Sequence, residues 1–207
     1  MTRIVPASPT LSEAIALLRG GEIVAYPTET FYGLGVDARN DEAVRALQKL
    51  KNRSQGKPFL VILPSAQALA QFVEKIPPAV HTLIEHFWPG PLTLILKATN
   101  LSPLLAGSSG GVGFRVSSHP LARRLAEQFG GCITGTSANP ADQPPATTAQ
   151  EVARYFAQTD LLILDGGKTE GGQPSTVVDA TDPSRPVLAR PGKIDWHELQ
   201  TFFSGGV

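Results

Sequence analysis

Residues 22–50, reading EIVAYP (22–27), TETFYGLGVDARN (28–40) and DEAVRALQKL (41–50), decide the fold class. EIVAYP is a short apolar run that ends on a proline, which reads as a strand. TETFYGLGVDA is rich in glycine, threonine and acid and reads as a turn-rich connection. A helix then starts near Asn40, which, like Asp41, can cap it, while Ala43, Ala46, Leu47 and Leu50 recur at helical spacing and face a core. A strand, a connection and a helix in so short a span is the repeating unit of an α/β layer architecture.

The same alternation extends in both directions. Upstream, a helix is expected near 12–19. Downstream, strands are expected at 59–63 (FLVIL), 92–98 (LTLILKA), 112–117 (VGFRVS) and 132–136, and in the segments LLILD, STVVDA and PVLAR. Helices are expected at about 65–74, 78–87, 120–129, 148–157 and 195–203, in each case from periodicity. Pro89 and Pro91 stop the second of these, 78–87. Long loops fall at 139–148 and 166–175. The expected fold is therefore α/β, a twisted mixed open sheet with flanking helices, in one domain over 1–207, with no internal repeat.

Composition narrows the function. Eighteen Lys and Arg balance eighteen Asp and Glu, so no global positive field draws the chain onto nucleic acid or an anionic membrane. The single Cys132 excludes an internal disulfide and a cysteine-rich zinc site and reads as a buried thiol. The N-terminal segment mixes charge into an amphipathic pattern, and no apolar run approaches membrane-spanning length, so a cytoplasmic protein is expected. His81 and His86 are five apart on a helix, a poor spacing for metal ligation, and are read as surface or capping groups. His119 precedes Pro120 and can cap the next helix or line a crevice.

In open α/β sheets the ligand crevice lies beyond the carboxyl ends of the strands. Thr28, Arg115, Ser137, Asn139, Ser175 and Arg190 stand at such ends. One cluster, KLKNRSQGKPF, gathers Lys49, Lys51, Arg53 and Lys57 at a helix exit. Cations there suit the helix dipole, which is the structural alternative; the functional one is a polyphosphate clamp, with lysine as a point charge and arginine as a planar fork. A second cluster, TGTSANP, offers Thr134, Thr136, Ser137 and Asn139 before Pro140, either as an ordinary turn or as donors to an anion. A P-loop is excluded by the lack of G-x-x-x-x-G-K-[ST], and Gly33-x-Gly35 lacks the third glycine of a dinucleotide fingerprint.

Taken in order, YPTETFYGLG, KNR within LKNRSQGKPF, WPGPLTLIL, FRVSSHP, TSANP, PSTVVD and ARPG resemble the YrdC/TsaC family over about residues 10–193. The resemblance includes the family's K-x-R and S-x-N pairs, here Lys51, Arg53, Ser137 and Asn139, and favours its synthase branch over the YciO type. Ser54 stands where many relatives carry proline. The chain ends soon after ARPGKI and resembles the family's single-domain form.

The resemblance implies a concave positive cavity and synthesis of threonylcarbamoyl-AMP and pyrophosphate from ATP, L-threonine and bicarbonate, for modification of tRNA. It implies that Lys51, Arg53, Ser137, Asn139 and Arg190 serve the ATP phosphates and the developing carbamate. Thr28, Tyr32, Arg115 and Ser175 are then the candidates for threonine; core packing is the alternative for Tyr32 and Phe31, and a surface position for Arg190. Mg2+ is expected to arrive with the phosphates, and downstream threonylcarbamoyl-transferase proteins are the expected partners. Two rivals follow from the same family: a non-enzymatic protein binding double-stranded RNA, which the neutral charge disfavours, and a carbamoyl-transfer enzyme, which the single cysteine disfavours.

Overall fold

The computed structural model describes residues 1–7, 11–52, 59–182 and 184–203. In chain order the strands are β1 (Arg3–Pro6), β2 (Val24–Pro27), β3 (Tyr32–Gly35), β4 (Leu60–Ile62), β5 (Leu92–Lys97), β6 (Gly111–Arg115), β7 (Ile133–Thr134), β8 (Thr136–Ser137), β9 (Leu162–Asp165), β10 (Thr176–Asp179) and β11 (Val187–Arg190). The helices are α1 (Leu11–Arg19), α2 (Asp41–Leu50), α3 (Pro78–Phe87), α4 (Pro120–Phe129), α5 (Ala149–Tyr155) and α6 (Trp196–Phe203). The helix expected at 65–74 is a short 3-10 turn, Gln67–Gln71.

The class is the expected mixed α/β, but the strands form two sheets rather than one. The five-stranded sheet runs β1-β9-β2-β3-β8 and the six-stranded sheet runs β11-β10-β5-β6-β4-β7. The change happens inside the strand expected at 132–136. Thr134 pairs with Val61 of β4, whereas Thr136 pairs with Leu34 of β3. Gly135 lies between them, and a Cβ there would meet Ile62 Cγ1 at 2.9 Å. A glycine therefore lets one chain segment pass from one sheet to the other where the two lie closest.

YGLG, read as part of a connection, is β3, an interior strand with all four residues buried. Its glycines disguised it, because glycine weakens a strand unless another group must approach. At Gly35 a Cβ would lie 2.7 Å from Tyr26 Cε1 and 3.1 Å from the Thr134 carbonyl oxygen. The Tyr26 hydroxyl, fully buried, donates to that carbonyl at 2.6 Å. TETF is the hairpin turn between β2 and β3, closed by Thr28 N–H donating to the Phe31 carbonyl at 3.0 Å.

The alternation of β2 and β9 divides the interior in two. Val24, Tyr26, Leu162 and Leu164 pack with α1 and α4 on one face of the five-stranded sheet. Ala25 and Ile163 face the larger core, which holds the six-stranded sheet with buried residues of α2, α3, α5 and α6. Cys132 is buried, and burial pushes its thiol up to about 12, the inert state expected of it. Local chemistry fixes the helix starts. Asn40 Oδ1 accepts from Glu42 N at 3.0 Å and Ala43 N at 3.1 Å. Thr148 and Glu151 form a reciprocal capping box on α5. His119 caps α4, its Nδ1 accepting from Leu121 N at 3.2 Å. Among the described residues no helix is long and apolar enough to cross a membrane.

Candidate functional site

Strand ends from both sheets surround a cavity of about 950 Å3. Its wall includes Thr28, Thr30 and Tyr32 from the first hairpin, Lys51 and Asn52 from the end of α2, Arg115 from β6, Thr136 and Ser137 from β8, and Ser175 and Arg190 from β10 and β11. Eight of the nine sequence-selected site residues are thus described, and seven line one space. The eighth, Asn139, lies beside it against Lys51. Arg53, with Lys57, lies outside the described residues. Among the described wall residues the charged groups are Lys51, Arg115 and Arg190 against Asp142 and Asp179.

The end of α2 sends Lys51 inward. Asn52, at φ 44, takes the left-handed conformation that ends the helix. Lys51 is 7% exposed. Its ammonium donates to the Ser137 carbonyl at 2.7 Å, to Asn139 Oδ1 at 3.2 Å, and to the Asn139 carbonyl. The Asn139 amide donates in turn to the carbonyls of Pro140 at 3.0 Å and Gln143 at 2.6 Å. Lysine and asparagine therefore shape the loop after β8. The Ser137 hydroxyl, on the cavity wall, carries no hydrogen bond among the described residues.

Arg115 is 2% exposed and is held by a carboxylate that sequence reading did not select. Its Nη2 is ion-paired with Glu29 Oε1, and its Nε donates to the same oxygen at 3.1 Å and to the Gly90 carbonyl at 3.2 Å. The Ser117 hydroxyl donates to the other oxygen, Glu29 Oε2. Burial pushes the Glu29 carboxyl up, but the Arg115 charge and the hydrogen bonds from Ser117 and Arg115 outweigh it and hold the group below its ordinary range. The only sequence signal was an acid between two threonines in the turn TETF directly after a strand.

Tyr32 and Thr28 both line the cavity and both make hydrogen bonds within the wall. Tyr32 lines the cavity, yet its hydroxyl donates to the Gly167 carbonyl at 2.8 Å and accepts from Gly166 N at 3.3 Å. Burial pushes this phenol up to about 12. The Thr28 hydroxyl donates to the Phe31 carbonyl at 2.7 Å and accepts from the Phe31 and Thr30 amides, each at 3.3 Å. Both side chains brace the wall, since their hydroxyls bond to backbone groups and also approach Thr30 Oγ1 at 3.1 Å and Asp165 Oδ1 at 3.4 Å, respectively for Thr28 and Tyr32.

On the opposite wall Ser175 Oγ and Thr93 Oγ1 are 2.9 Å apart. The Arg190 guanidinium, exposed at the end of β11, donates to the Ser175 carbonyl at 2.9 Å and to its hydroxyl at 3.1 Å. This unites the motifs PSTVVD and ARPG, which the sequence separates. Gly192 is needed there, because a Cβ would fall 2.4 Å from Pro174 O, Ser175 C and Thr176 N.

The chain is similar to known proteins in sequence and in structure. The model of the Sua5/YciO/YrdC family, described as telomere recombination, matches residues 16–192. The chain is 39% identical over 194 residues to the threonylcarbamoyl-AMP synthase of Bacillus subtilis, covering 93% of this chain and 56% of that protein. It thus spans little more than half the length of that relative. The structure of Pyrococcus abyssi Sua5 complexed with L-threonine is similar with a TM-score of 0.89 at 33% identity, covering 98% of this chain and 60% of that one. Escherichia coli YciO is similar with a TM-score of 0.82 at 28% identity, covering 94% of this chain and 97% of the other.

Proposed function

The chain belongs to the Sua5/YciO/YrdC family, and from that premise we propose that it is a threonylcarbamoyl-AMP synthase. The observation that carries this reading is the convergence of Lys51, Ser137, Arg115, Ser175 and Arg190 on one cavity from separate strand and helix ends. A cavity of this size accommodates a nucleotide beside an amino acid, near the upper end of ordinary ligand sites. The likeness to Sua5 complexed with L-threonine supports threonine as one occupant. The presence of both Ser137 and Asn139 favours the synthase over the YciO branch.

The reaction needs no covalent enzyme intermediate. The threonine amine attacks the carbon of dissolved carbon dioxide, supplied by bicarbonate, and releases a proton to give a carbamate. A carbamate oxygen then attacks the α-phosphorus of ATP, the bond to the bridging oxygen breaks, and pyrophosphate leaves with the electron pair. Such a step depends on holding two anions together and on stabilising the leaving phosphates. In this reading Lys51, Arg53 and Arg190 supply positive charge along the phosphates, while Ser137 offers its hydroxyl and Asn139 fixes the loop that presents it. Arg115 takes the threonine carboxylate, Ser175 offers a hydroxyl, and Thr28 and Tyr32 keep the wall in place.

Among the described residues no trio of His, Cys, Asp or Glu is placed to hold a metal. In this reading Mg2+ comes with ATP as part of the substrate, bound through phosphate oxygens and water. The product is a mixed carbamic–phosphoric anhydride, which must pass to a transferase acting on tRNA. The test is pyrophosphate release from ATP with threonine and bicarbonate omitted in turn. Release that requires both supports the reading, and release indifferent to both overturns it.

A further inference from the structure

Glu29 is a partly buried carboxylate, its side chain 9% exposed, that does not line the cavity, yet it grips the side chain that the proposed function assigns to threonine. Arg115 carries five N–H groups. The Nε hydrogen is shared between Glu29 Oε1 and the Gly90 carbonyl, and Nη2 is taken by Glu29 Oε1 and, at 3.5 Å, by Thr30 Oγ1. The remaining nitrogen, Nη1, has no hydrogen-bond partner among the described residues. Arg115 itself lines the cavity and is almost fully buried. Buried donors without partners are unfavourable, so a guanidinium arranged in this way is matched to an oxygen ligand.

Glu29 is held as firmly as it holds. Ser117 donates to Oε2 while Arg115 occupies Oε1, so the carboxylate cannot rotate away without losing both. The turn that carries Glu29 is closed by Thr28 and hydrogen-bonded through the Thr30 carbonyl, which accepts from Gly171 N at 2.8 Å.

We propose that Glu29, clamped by Ser117, is a positioning residue that fixes the Nε–Nη2 edge of Arg115 and so reserves Nη1 for the carboxylate of the amino-acid substrate. This rests on the assignment of the cavity to threonine. The consequence is specificity for a carboxylate at that end of the substrate, beyond general affinity.

The experiment is calorimetric titration of the intact chain and of Glu29→Gln with L-threonine and with L-threoninol, in which a hydroxymethyl group replaces the carboxylate. ATP is titrated as a control. In the wild type threonine binds more tightly than threoninol. In Glu29→Gln the threonine Kd rises by about tenfold or more and the preference for threonine over threoninol falls by about fivefold, because charged hydrogen-bonded groups carry such discrimination. The ATP Kd stays within about twofold. A preserved threonine-to-threoninol ratio in a folded Glu29→Gln protein overturns the inference, since a merely structural role would weaken both ligands alike. Should Glu29→Gln fail to fold, Ser117→Ala removes one clamp only; its ratio falls by about threefold, and an unchanged ratio overturns the inference equally. A wild type that binds ATP but neither amino-acid ligand overturns the functional reading itself, a distinct result.

Discussion

Lys51 and Asn139, 88 positions apart, are joined by the lysine ammonium, which donates to both the side-chain oxygen and the carbonyl of the asparagine. The exit of α2 and the loop after β8 are thereby tied together beside the cavity wall, which Lys51 lines.

Replacing Lys51 by methionine keeps the aliphatic stem and removes the ammonium. The carbonyls of Ser137 and Asn139 lose a buried donor, a loss of about 2 kcal/mol of stability. Threonine-dependent pyrophosphate release falls by about 100-fold or more if the charge also serves the phosphates. Denaturant unfolding reads the first effect and kinetics the second; normal turnover in a destabilised protein would assign Lys51 to the loop alone.

His119 ties pH to stability through the α4 cap. Burial, partly offset by Glu29, holds its imidazole below the ordinary value of 6.5, and the cap requires an unprotonated Nδ1. A group whose pKa is lowered on folding contributes stability that is present above its unfolded value and is lost as pH falls through the folded one. Unfolding free energy should therefore decline below pH 6.5. His119→Asn retains a capping oxygen and should flatten that segment of the profile. An unaltered slope would remove His119 as its source.

Gly192→Ala places a methyl group against the backbone around Ser175, at 2.4 Å from Pro174 O, Ser175 C and Thr176 N. Backbone cannot yield as a side chain does, so the variant should lose about 3 kcal/mol. It should also weaken substrate binding by displacing Ser175 from Arg190. A thermal melt within a degree of wild type would contradict the close approach.

Tyr32→Phe separates wall from ligand. Loss of the bonds to Gly167 and Gly166 should cost about 1 kcal/mol. The threonine Kd should change far less than it does in Arg115→Lys, which forfeits the planar fork. Equal losses in the two variants would make the tyrosine hydroxyl a substrate contact.

Much of the site was legible because its residues sit at strand ends in short polar motifs. Thr28, Arg115, Ser137, Ser175 and Arg190 were selected from position, and they do meet in one cavity. Their division of labour was not legible. The hydroxyl of Tyr32 and the amide of Asn139 turn to backbone groups whose nearness depends on loops at 165–167 and 140–143. Glu29 was overlooked because its partners, Arg115 and Ser117, are 86 and 88 positions away.

The sequence by itself determined the α/β class, most elements, the helix caps and the set of polar motifs, since periodicity, capping and turn chemistry act over a few neighbouring residues. Only the tertiary structure decided that the strands form two sheets, that YGLG is an interior strand, and that Glu29 governs Arg115. Each of these depends on contacts between distant segments: Gly35 admits the ring of Tyr26, Gly135 passes the chain between sheets, and a buried guanidinium takes its orientation from the carboxylate folded against it.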